Sequence, residues 1–184
     1  MDTYRIAVVV GSLRKDSLNR QLARALERMA PQDFRLTQVR IDDLPLYNQD
    51  DEAQPADAVR RLKTEIASAQ GVLFVTPEYN RSVPGVLKNA IDHASRPYGQ
   101  SVWAGKPAGV IGVSTGAPGT CMAQQHLRNV LAYLDMPTLG QPEAFLQARD
   151  GLFTEDGRIG EASRLFVQGW LDKYVAWVRR FAQL

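Results

Sequence analysis

Ile6-Ala7-Val8-Val9-Val10-Gly11-Ser12-Leu13-Arg14-Lys15-Asp16-Ser17-Leu18-Asn19 is the stretch on which the fold turns. An unbroken apolar run, mostly β-branched, needs burial on both faces, which is the condition of a strand inside a parallel sheet. It breaks at Gly11 into a loop bearing two serines, an arginine and a lysine. Beyond the loop Leu18, Leu22, Ala25, Leu26 and Met29 recur at the spacing of one helix face, with Ser17 placed to cap it. Strand, short loop and helix start therefore follow one another. Unpaired backbone N–H groups and the positive end of the helix dipole converge on the loop, so an anion is expected there.

The loop narrows which anion. A Walker loop reads G-x-x-x-x-G-K-[ST] and a dinucleotide fingerprint G-x-G-x-x-G; after Gly11 no further glycine precedes the helix, so neither is present. Ser12, Ser17 and Asn19 can donate from side chains, and Arg14 can add a charge-assisted pair. One terminal phosphate would be well satisfied. The plainer alternative is that Ser17 only caps the helix while Arg14 and Lys15 face water.

A chain of 184 residues fits one domain, taken as 1–184. The single Cys121 cannot pair within the chain and no secretory leader is evident, so a reducing cytoplasm is expected. No apolar run approaches the ~18 residues of a membrane span. The net charge of +2 is scattered, without the basic stripe and interleaved aromatics of nucleic-acid binding. No nucleic acid and no membrane is expected as a partner.

Strand and helix patterns alternate along the rest of the chain. Residues 34–41 read as a second strand, 42–55 as an acidic connection punctuated by prolines, and 56–69 as a helix with Val59, Leu62 and Ile66 on one face. Residues 71–76 form another apolar strand ending at Pro77. A polar loop at 78–83 leads to a helix opened by Pro84. Residues 108–114 make a fourth buried strand, 115–119 a turn of small residues, and roughly 122–134 a helix. A short strand is expected between 137 and 145, then a long closing helix through Trp170, Tyr174 and Val178. Five strands with crossover helices imply a doubly wound α/β sheet, a flavodoxin-like three-layer sandwich of strand order 2-1-3-4-5 with helices on both faces. Ligands in such sheets bind beyond the carboxyl ends of the strands, where the order switches. The loops at 11–19, 77–82 and 114–119 should meet there. A phosphate pocket beside a slot for a flat polar ring describes FMN.

At these residues the chain resembles the NADPH-dependent FMN reductase family, in particular its chromate and quinone reductase branch. The matching motifs are Gly-Ser-Leu-Arg-Lys-Asp-Ser-Leu-Asn at 11–19, Thr-Pro-Glu-Tyr-Asn-Arg-Ser-Val-Pro-Gly-Val-Leu-Lys-Asn-Ala-Ile-Asp at 76–92, and Gly-Lys-Pro-Ala with Val-Ser-Thr-Gly between 105 and 116. The resemblance implies non-covalent FMN, NADPH or NADH as electron donor, and a homodimer or homotetramer. Carried over by position, Ser12, Arg14, Ser17, Leu18 and Asn19 would hold the FMN phosphate. Pro77, Glu78, Tyr79, Asn80 and Ser82 would run along the ring edge, largely through backbone groups, with Ser114, Thr115 and Gly116 on its other side. Where the family carries Gly-Gly-x-Arg, this chain has Gly119-Thr120-Cys121-Met122, so a positive charge is lost at Met122.

The implied reaction is ping-pong hydride transfer from NAD(P)H to quinones, with chromate, nitro and azo compounds as further acceptors. The cofactor supplies the chemistry, so no acid or base is named. Two alternatives are a reductase releasing free reduced flavin and a flavodoxin-like electron carrier; carriers are usually strongly acidic, and this chain is not. A receiver domain would need an acidic cluster after the first strand, where Gly11-Ser12 stands. His93 and His126 lack ligand companions, so no metal is expected. Cys121, Trp170 and Trp177 read as packing residues, and Asp42-Asp43 and Asp50-Asp51 as solvated loop.

Overall fold

The run at 6–10 sends alternate side chains into two cores. Ile6, Val8 and Val10 pack with Leu22, Leu26, Trp170 and Val178, while Ala7 and Val9 pack with Leu62, Ile66, Leu87 and Leu127. The computed structural model, which describes residues 3–182, resolves this into β1 (Tyr4–Val10), α1 (Leu18–Met29), β2 (Phe34–Gln38), α2 (Asp57–Ala67), β3 (Gly71–Val75), α3 (Gly85–Ser95), β4 (Ala108–Ser114), α4 (Cys121–Tyr133), β5 (Phe145–Gln147) and α5 (Glu161–Phe181). All pairs are parallel and the order is β2-β1-β3-β4-β5. Helices α1 and α5 cover one face; α2, α3 and α4 cover the other. The fold is the flavodoxin-like sandwich expected from the sequence.

Three expectations are corrected. The strand expected between 137 and 145 pairs only at Phe145–Gln147, because Pro137 and Pro142 have no N–H to continue a ladder. Residues 137–139 contribute a single bridge, with Ala108 N–H donating to the Pro137 carbonyl at 2.9 Å and Leu139 N–H to the Ala108 carbonyl at 2.8 Å. The second strand stops at Gln38; one more bond runs from Val39 N–H to the Val8 carbonyl at 2.9 Å before the chain leaves the sheet. Asp43 is not merely solvated, since Arg61 grips its two carboxylate oxygens at 3.1 and 3.0 Å and ties the connection to α2.

Two tight contacts set what the sheet tolerates. A Cβ built on Gly112 would stand 2.1 Å from the Thr76 carbonyl oxygen and 2.5 Å from Thr120 Oγ1, so β4 can lie against the end of β3 only as glycine. Gly109 similarly accepts the ring of Tyr174, whose Cδ2 would be 2.5 Å from an added Cβ. The Tyr174 hydroxyl is buried without a hydrogen-bond partner among the described residues, and that burial holds its pKa well above the usual phenol value.

Gly112→Ala is therefore expected to cost more than about 4 kcal/mol or to prevent folding, whereas Gly116→Ala, with nothing nearer than 3.6 Å to an added Cβ, should change stability by less than about 0.5 kcal/mol. Tyr174→Phe removes an unpartnered polar group and should raise stability by about 1 kcal/mol. Urea unfolding midpoints check all three.

Candidate active site

Strands β1, β3 and β4 end side by side. Val10 is opposite Val75 and Val75 opposite Ile111. Gly11 N–H then donates to the Val75 carbonyl at 2.9 Å, and Thr76 N–H to the Ile111 carbonyl at 3.0 Å. The three loops that follow enclose an open cleft of about 130 Å³, lined by Ser12, Arg14, Ser17, Leu18, Asn19, Pro77, Glu78, Tyr79, Ser114 and Thr115, together with Val113. Of the residues expected at the site, Asn80, Ser82 and Gly116 are not on its wall. Among the larger hollows, those of about 300 Å³ beside the 45–56 connection, about 660 Å³ between α3 and α4 and about 560 Å³ between α1 and the start of α5 touch none of these loops.

One end of the cleft is an anion cradle. Ser17 caps α1, its Oγ accepting from Arg20 N–H at 3.3 Å, so its own hydroxyl proton stays free. The N–H groups of Leu18 and Asn19 have no acceptor among the described residues, as the first turn of a helix requires. Ser12 and Ser17 are buried, and Arg20 Nε holds the Ser12 carbonyl at 3.3 Å. Arg14 is exposed at the rim, with no ion pair among the described residues.

Asn19 lines the cleft and also braces the frame around it. Its Nδ2 donates to the Val113 carbonyl at 2.9 Å and its Oδ1 accepts from Val113 N–H at 3.0 Å. The side chain thus joins α1 to β4 through one of its two Nδ2 protons and its Oδ1, while its backbone N–H stays open toward the cleft.

The opposite wall, Pro77 to Tyr79, leads into a tight turn. Tyr79 N–H and Ser82 N–H each donate to the other's carbonyl, at 3.1 and 3.0 Å, and Asn80 and Arg81 between them have φ of 52° and 61°. That is the pattern of a type I′ turn without glycine. Asparagine tolerates the left-handed region, but for arginine the conformation costs about 1 kcal/mol or more. Glu78 Oε2 accepts from Met122 N–H at 3.0 Å and Ala123 N–H at 3.1 Å, while Ser82 Oγ meets His126 Nδ1 at 2.9 Å. On the third loop, Ser114 Oγ accepts from Gly116 N–H at 3.1 Å.

Sequence reading missed Val113, the Glu78 contact with α4 and His126. None carries a local signal, because each depends on a partner more than forty positions away. His93 is a buried histidine whose Nε2 meets the Pro45 carbonyl at 2.9 Å, and Cys121 is a half-buried free thiol. Among the described residues, no helix is long and apolar enough to cross a membrane.

The family model described as NADPH-dependent FMN reductase matches residues 4–150. A 2-hydroxy-1,4-benzoquinone reductase of a Burkholderia species is 54% identical over 95% of this chain and 96% of its own. A quinone reductase of Pseudomonas putida is 52% identical over 96% of this chain and 95% of its own. Among solved structures, FerB, the flavoenzyme NAD(P)H:(acceptor) oxidoreductase of Paracoccus denitrificans, superposes with a TM-score of 0.94 at 43% identity, covering 98% of this chain and 100% of that one.

Because Asn19 satisfies a buried N–H and a buried carbonyl at once, Asn19→Leu should cost about 2 to 4 kcal/mol in urea unfolding. Ser17→Ala, which removes only a cap, should cost about 1 kcal/mol.

Proposed function

The chain belongs to the NADPH-dependent FMN reductase family, and from that membership we propose that it acts as an FMN-dependent NAD(P)H:quinone oxidoreductase. The observation that carries the reading is the meeting, in one cleft, of the open N-terminus of α1 with Pro77, Glu78 and Tyr79, the residues that lead into the 79–82 turn. FMN bound there supplies a ring able to accept a hydride from a nicotinamide donor and to pass electrons to an acceptor.

The residues present fit that group. The Ser12 and Ser17 hydroxyls and the N–H groups of Leu18 and Asn19 hold the phosphate, and Arg14 adds a charge-assisted contact. The peptide N–H groups of Glu78, Asn80 and Arg81, which the turn does not use internally, offset negative charge that develops at the polar edge of the ring. Ser114 and Thr115 close the other side. The protein's part is binding, orientation and charge stabilisation, with no side chain assigned as acid or base.

Quinones suit the site because they are flat and stack. Chromate, nitro and azo compounds are secondary acceptors that need no pocket of their own. Release of free reduced flavin is the second reading, favoured by the openness of a cleft whose Tyr79 is 46% exposed. A reducing cytoplasm suits a chain whose one cysteine is free. The groove between α3 and α4, rimmed by Tyr98 and Tyr133 at 86% and 81% exposure, is the surface on which a second copy pairs.

Purified protein should be yellow and should oxidise NADPH or NADH only when a quinone is added; turnover with free FMN exceeding that with quinone would favour the second reading. Arg14→Ala should weaken FMN retention about tenfold, the worth of one charge-assisted bond, read by flavin fluorescence. Sedimentation at micromolar concentration should give a species larger than the monomer.

A further inference from the structure

The turn at 79–82 is not one that its own residues favour. Arg81 sits at φ 61° beside Asn80 at 52°, and the only hydrogen bonds closing the turn are the two between Tyr79 and Ser82. Something outside the turn must hold it. The structure shows two ties, one at each end, and both lead to successive turns of α4: Glu78 to the N–H groups of Met122 and Ala123, Ser82 to His126.

Helix α4 has a matching deficiency. Its N-cap residue, Thr120, makes no side-chain cap bond, and the first turn contains no acidic residue. Glu78, reaching across 44 positions of sequence, supplies both the missing acceptor and a negative charge at the positive end of the helix. The bond works in both directions, capping α4 and restraining the residue that leads into the turn.

We propose that Glu78 is a positioning residue for the FMN site: its carboxylate, docked on the N-terminus of α4, holds the 79–82 turn in its left-handed form and so fixes the loop's peptide N–H groups for the flavin. The proposal rests on the FMN reading above. The tie is made to the main chain of residue 122 and survives a change of side chain. Seating the carboxylate on a helix start has a second effect, because the positive helix end partly offsets a charge that would otherwise oppose electron density arriving on the ring.

The test is a titration of apoprotein with FMN, followed by quenching of flavin fluorescence, on the wild type, Glu78→Ala, Glu78→Gln, Arg81→Gly and the Glu78→Ala/Arg81→Gly double variant. Glu78→Ala should weaken binding about tenfold or more, and Glu78→Gln, which keeps an oxygen acceptor, should stay within about threefold of wild type. Glycine adopts the left-handed conformation freely. The loss caused by Glu78→Ala should therefore shrink markedly in the Arg81→Gly background, a coupling that a purely structural cap would not produce. If Glu78→Ala is too unstable to titrate, Ser82→Ala with and without Arg81→Gly reads the same coupling through the other tie. Equal binding by Glu78→Ala and wild type, or equal losses in both backgrounds, would overturn the proposal while leaving the FMN reading intact. A wild-type chain that takes up no FMN would overturn both.

Discussion

Everything at the site depends on how closely three parallel strands can end together. Gly112 lies against the Thr76 carbonyl and Gly11 against the Thr76 side chain, at separations where an added Cβ would fall 2.1 and 3.0 Å from its neighbour. Any side chain at 112 would wedge β4 from β3, and the loops leaving their ends would part. Close approach of backbone is what lets loops far apart in sequence share a cleft only about 130 Å³ in volume. The cores on either side of the sheet supply the stability; these glycines supply the geometry.

Much of this was legible in the chain. The run at 6–10 could be nothing but a doubly buried strand, and its alternate residues do enter opposite cores. The loop positions followed from the expected topology, because a parallel sheet has to deliver every strand-to-helix connection to the same rim. What stayed hidden was pairing across that rim. Asn19 reads as a phosphate donor because a polar residue at a helix start usually faces solvent or ligand, and its amide also forms a two-way tie to Val113 that nothing local announces. Glu78 reads as a loop residue lending its backbone, and its carboxylate turns out to cap a helix more than forty positions later. No local pattern distinguishes an amide or carboxylate that binds a ligand from one that braces the frame around it. The misplaced fifth strand has the same root, since pairing on a sheet edge is decided by which N–H groups face a neighbour, and two prolines removed them.

The two bracing residues also explain how a rim made of loops can be stiff. Asn19 joins α1 to β4 and Glu78 joins the loop after β3 to α4, so each wall of the cleft is fastened to an element it does not follow in the chain. Disturbing either link moves a wall as a unit. Loop residues gain the positional accuracy that a cofactor site requires without themselves being part of a strand or helix.

The helix starts at this rim divide the electrostatic work. Parallel topology points the positive ends of α1 and α4 at the same region, and both would attract anions. At α4 the first-turn N–H groups of Met122 and Ala123 are already taken by Glu78, whereas at α1 those of Leu18 and Asn19 are left open beside two buried serines. In the proposed FMN complex the permanently anionic phosphate would take the α1 start. The part of the ligand whose charge changes during turnover would meet the loop at 77–82, where a helix start partly offsets the nearby carboxylate and the donors are uncharged amides. A permanent charge is met by a helix terminus, and a transient one by peptide groups. In the proposed complex this division would let the site retain FMN through both of its oxidation states, because the contacts that anchor it would not be the ones that respond to electron transfer.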